Sequence, residues 1–71
     1  MLEQIRRHLK VVPFLPFEIH TSNGEIFKVE HPENASVIKH WVSVAMPDSD
    51  NIAVVNVLHI VAVVGIEELA V

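Results

Sequence analysis

The chain has 71 residues, a formal net charge of −4 and no cysteine, and 51% of its residues are hydrophobic. So short a chain forms one domain, residues 1–71, and buries only about 60% of the surface its unfolded form exposes. With neither a disulfide nor a thiolate metal site to support such a core, the composition predicts oligomerisation, because a small body cannot enclose this much apolar side chain.

The acidic balance supplies no overall positive field to draw DNA or anionic lipid, so no DNA partner is expected. Arg6, Arg7 and Lys10 make the N-terminus basic, but no apolar core or small-residue cleavage site of a signal peptide follows them. The longest apolar stretch, Ile52 to Ile66, is about 15 residues and contains Asn56 and His59. A spanning helix needs roughly 20. The expectation is a cytoplasmic chain with no membrane partner.

In chain order, Leu2, Ile5, Leu9 and Val12 recur near helical spacing with charged residues between them, which predicts a short amphipathic helix over 2–11. Pro13 and Pro16 end it, since each removes a backbone donor and biases its predecessor toward extended geometry. The connector from Pro13 to Pro16 is expected to tuck Phe14 or Leu15 under the helix. Phe17 to His31 then reads as a hairpin around Ser22, Asn23 and Gly24. A two-residue Asn-Gly turn would mix apolar and polar side chains on each face. A three-residue loop, with Gly24 left-handed, instead pairs Thr21 with Glu25, Ile19 with Phe27 and Phe17 with Val29, and puts the apolar residues on one face. The same register sets Glu18 across from Lys28 as an attractive pair. Asn23 and Gly24 are thus the structural turn residues.

His31 to Asn34 is a turn, Ala35 to Ile38 a short strand, and Lys39-His40 a tight reversal. Trp41 to Met46 alternates, with Val42, Val44 and Met46 on one side and Trp41, Ser43 and Ala45 on the other. Pro47 to Asn51 is the strongest turn signal. Ile52 to Val55 and Ile60 to Ile66 follow, separated by a polar interruption at Asn56 to His59, and their β-branched residues favour strands with two apolar faces each. The tail from Glu67 to Val71 is too short to classify. The fold class is mainly β: an N-terminal helix followed by five or six antiparallel strands within 17–66, which close most readily as a small barrel because closure removes exposed edges.

The helix, the connector, Pro16 eight residues before the loop glycine, and the late Val57-Leu58-His59-Ile60-Val61-Ala62-Val63-Val64 together resemble the layout of bacterial Sm-like proteins of the RNA-chaperone type. The resemblance covers about 60 residues. It implies an Sm-like, SH3-type barrel that assembles into a ring, and RNA contacts through His59, Gln4, Arg6 and Arg7. Leu58 stands where the RNA chaperone has lysine, and Val29 where many Sm proteins have glycine. The chain also resembles short bacterial proteins that carry Pro-Phe-x-Pro-Phe, a turn glycine and His-Pro-Glu, here Pro13 to Phe17, Gly24 and His31 to Glu33, from which no function transfers.

Five histidines, at 8, 20, 31, 40 and 59, fit no compact ligand spacing. Ser43 and His59 lack a third group that would fix them as a catalytic set. Asp48 and Asp50 suit a turn, and Glu67 and Glu68 a solvated end. The reading is therefore not an enzyme, with no cofactor and no metal. Trp41 fits either a buried strand start or an interface anchor. Arg6, Arg7, His8 and Lys10 are the basic cluster, either a solvated helix face or a phosphate contact. Two expectations result. One is a homo-oligomeric assembly or interaction module that associates through its C-terminal strands, with Trp41, Val61 and Val63 at the interface. The other is an Sm-like ring that binds RNA.

Overall fold

Leu2, Ile5 and Leu9 line one side of α1 (Leu2–Lys10), and Ile5 is completely buried. The computed structural model describes residues 1–46 and 50–65. The helix stops one residue before its predicted end: Val11 is already extended, and Val12, 92% exposed, takes no part in the apolar stripe. Pro13 contributes to this, because it disfavours helical geometry at Val12 and has no N–H to continue the helical hydrogen bonds. The Val12-Pro13 peptide is cis. Phe14 packs on the core and meets Phe17 edge-on at 6.1 Å, while Leu15 stays on the surface.

Six strands follow: β1 (Phe17–Thr21), β2 (Ile26–Val29), β3 (Ala35–Ile38), β4 (Trp41–Ala45), β5 (Ile52–Asn56) and β6 (Ile60–Gly65). Phe17, Ile19 and Thr21 are buried on alternate positions of β1. The β1–β2 register is the one expected of the three-residue loop, with Phe17 opposite Val29, Ile19 opposite Phe27 and Glu18 opposite Lys28. Thr21 N–H donates to Glu25 O at 2.9 Å, and Gly24 has φ of +87°. The expected Glu18–Lys28 attraction is replaced by contacts along the chain. The Glu18 carboxylate lies 3.0 Å from His20 Nε2, and Lys28 Nζ lies 3.6 Å from Glu30.

The strands form two three-stranded antiparallel sheets, ordered β2-β1-β6 and β3-β4-β5. The closed barrel expected from sequence is not what the pairing gives among the described residues. One 3-10 turn, Pro32–Asn34, interrupts the path from β2 to β3, and another, Val57–His59, separates β5 from β6. Proline at the start of the first turn and the Asn56 side chain accepting from Leu58 N–H at the second favour these breaks over continuous strand. The second turn ties the sheets together: Val57 N–H donates to His40 O, and His59 O accepts from Ser22 N–H, both at 2.8 Å.

Between the sheets lie Phe17, Ile19, Val29, Ala35, Val42, Val44 and Ile60, with Ile5 of the helix alongside them. Lys39, with φ of 55°, makes the β3–β4 reversal. The predicted turn at Pro47 to Asn51 falls mostly outside the described residues, as do Ile66 and the tail. Met46 N–H donates to Asn51 O across its base at 3.0 Å. No described helix is long and apolar enough to cross a membrane.

Candidate functional site

In an antiparallel sheet, residues directly opposite each other point to the same face. The register of the second sheet therefore groups Ile38, Trp41 and Asn56 in one row, Ser36, Ser43 and Val54 in the next, and Ala45 with Ile52 in a third. Val37, Val42, Val44, Ala53 and Val55 occupy the opposite, inward face. The outward rows carry no charged side chain. They leave Ile38 64%, Trp41 48%, Ile52 65% and Val54 60% exposed, and the hydroxyls of Ser36 and Ser43 bond to each other at 2.7 Å. The outward face of the first sheet differs, since Glu18, His20 and Lys28 place charge and polarity among its apolar residues.

Among the described residues β5, like β3, is an outer strand of its sheet, with no strand paired to its far side. Val57 N–H bonds to His40 O and Met46 N–H to Asn51 O on the same antiparallel ladder. Hydrogen-bonded pairs alternate with open ones, so Ala53 and Val55 direct their backbone groups toward β4. Ile52, Val54 and Asn56 direct theirs away from it, toward the free edge.

Beside this edge lies a cleft of about 730 Å³ between β5 and the β1–β2 hairpin. Phe27, Trp41, Met46 and Val55 supply apolar wall, while Thr21, Asn23, Glu25 and His59 are polar members of its lining. The hairpin end is internally braced. Thr21 Oγ1 donates to Asn23 Oδ1 and accepts from Glu25 N–H, and Asn23 Nδ2 donates to Glu25 Oε1 at 2.8 Å. These bonds fix the Glu25 carboxylate at the cleft without neutralising it, and it has no ion-pair partner among the described residues.

The residues singled out in the sequence fall into separate places. Gln4 and Arg7 line a smaller cleft of about 180 Å³ together with His8 and Val63, whereas His59 lines the larger one. Arg6 is exposed on the helix. The His8 ring stacks on Phe17 at 4.8 Å, which orients it. Trp41 is not the buried strand start that was one of its two readings, because it belongs to the outward rows. Val61 and Val63 also separate. The β1–β6 register shifts between His20 and Thr21, where Ala62 and Ile60 are the respective partners. Val61 is the extra residue of this bulge and is 57% exposed. Val63, opposite Ile19, packs on the core.

No three His, Cys, Asp or Glu side chains converge as a metal site among the described residues. Sequence reasoning did not foresee the larger cleft, because Glu25 and Phe27 come from one end of the chain and Val55 and His59 from the other. The free edge had a signal, the two-faced apolar run at Ile52 to Val55, but its direction required the ladder. The chain matches no family model, no curated protein and no solved structure.

Proposed function

We propose that the protein is a non-enzymatic module that assembles with copies of itself through its C-terminal strands and the uncharged face of the β3-β4-β5 sheet. The observation that carries this reading is the set of outward rows, where Ile38, Trp41, Ile52 and Val54 lie exposed together without a charge among them. Scattered exposed apolar residues are ordinary, but a contiguous uncharged group on one face marks a surface that associates. Covering these side chains would contribute about 1–2 kcal/mol each, given how much of each is exposed. Association itself costs about 4–15 kcal/mol. The face alone therefore comes close to balance, and pairing of free strand edges would add to it. The unit we take to assemble is an SH3- or Sm-like domain whose six strands pair as two three-stranded antiparallel sheets.

Sedimentation velocity on nuclease-treated protein tests the reading. A discrete species larger than one chain at roughly tens of micromolar is expected, the weak end of the affinity range for such faces. A monomer across that range overturns it.

A second reading, an RNA-binding Sm-like ring, has one observation in its favour: Gln4, Arg7 and His8 share a cleft on an otherwise acidic chain. A ring would repeat these donors around one face, which multiplies weak phosphate contacts. Arg6→Glu combined with Arg7→Glu is then expected to abolish binding of a short single-stranded RNA. Binding that survives both changes places the RNA elsewhere.

A further inference from the structure

The larger cleft has a composition that points to a particular kind of ligand. Ala53, Val54, Val55 and Asn56, four consecutive residues, all line it. Side chains of successive strand residues point to opposite faces, so a cavity that touches all four must border the edge of the strand itself. The backbone groups of Val54 and Asn56 that point away from β4 then open into the cleft. A ligand that pairs with N–H and C=O groups repeating every second residue is another extended chain.

The walls define its side chains. Phe27, Trp41 and Val55 offer apolar contact, and an extended segment presents alternate residues to such walls. Among the described residues that line the cleft, Glu25 is the carboxylate, held by Asn23 and without an ion-pair partner there. Glu25 lines the same cleft as the aromatic residues Trp41 and Phe27, a set that suits an ammonium or guanidinium group, since a carboxylate and aromatic faces each attract a cation. We propose that this cleft is a docking groove for an extended peptide segment that adds to the free edge of β5 and carries a lysine or arginine toward Glu25. The proposal goes beyond self-association and competes with it, because Trp41, Val54 and the β5 edge cannot be covered by a second copy and by a peptide at once.

A random-heptapeptide display library panned on the full-length protein tests it. Enriched sequences are expected to alternate apolar residues around a lysine or arginine. A synthetic peptide of the winning sequence is expected to shift the backbone amide resonances of Val54 and Asn56. Replacing its cation by glutamate, or using the Glu25→Gln protein, is expected to weaken binding about tenfold, the scale of one charge-assisted contact. Glu25→Gln keeps an oxygen to accept from Asn23, and N-methylation of the peptide amides that face β5, which leaves the protein untouched, is expected to abolish binding.

Three outcomes overturn the proposal: no enrichment, enriched peptides that lack a cation and bind Glu25→Gln equally well, or binding that survives N-methylation. Sedimentation of Glu25→Gln separates this proposal from the assembly reading. A mass equal to wild type is expected, whereas a smaller species would give the cleft to a second copy and overturn the peptide.

Discussion

Gly24 has φ of +87°, and a Cβ built there would meet nothing within 4 Å. The cost of any larger residue is therefore conformational and not steric crowding. Gly24→Val is expected to destabilise by about 1–2 kcal/mol, since β-branched residues tolerate the left-handed region worst. Thermal unfolding measures this, and an unchanged midpoint would remove the reason for a three-residue loop. That loop was legible from residues alone, because one register puts Phe17, Ile19, Phe27 and Val29 on a common face and the alternative does not. The Glu18–Lys28 attraction was not. Cross-strand position is read from spacing, but a long side chain chooses among nearby partners, and Glu18 and Lys28 each meet a residue two positions further along the chain.

Strand positions and limits followed from turn chemistry and alternation, and β3, β4, β5 and β6 lie where β-branched runs placed them. Alternation says which residues share a face and leaves open whether a face is covered. Trp41 shows the gap, since its position opposite Val42 and Val44 suited a buried or an exposed tryptophan. The β1–β6 bulge was equally hidden, because strands far apart in the chain set it. It decides how two neighbouring valines respond to charge. Val63→Lys would set a charged side chain at a partly buried position opposite Ile19 and is expected to lower the melting temperature, as an unpaired charge near the core is costly. Val61→Lys is expected to keep the native circular dichroism spectrum, because the bulge points that side chain outward. Its sedimentation then reports the role of β6. A folded, smaller species assigns the strand to the interface, and an unchanged mass confines the interface to the other sheet.

At the scale of the molecule, the small core and the uncharged face make one argument about stability. A chain that folds and associates together gains stability with concentration, whereas an independent monomer does not. Each tenfold rise in protein shifts an association equilibrium by about 1.4 kcal/mol. Half of that, for a dimer, up to nearly all of it, for a large ring, falls to each chain. A domain of this size moves its midpoint by about 4–8 °C per kcal/mol. The melting temperature is therefore expected to rise by about 3–10 °C for each tenfold increase in concentration, read by circular dichroism in cells of different path length. Salt sharpens the test. Every protomer brings a net charge of −4, so screening relieves repulsion between copies, and sulfate further strengthens apolar burial. Association is expected to tighten with added sodium sulfate. Contacts to RNA phosphates would weaken as salt rises. A melting temperature independent of concentration would leave Ile38, Trp41, Ile52 and Val54 to some partner other than a second copy.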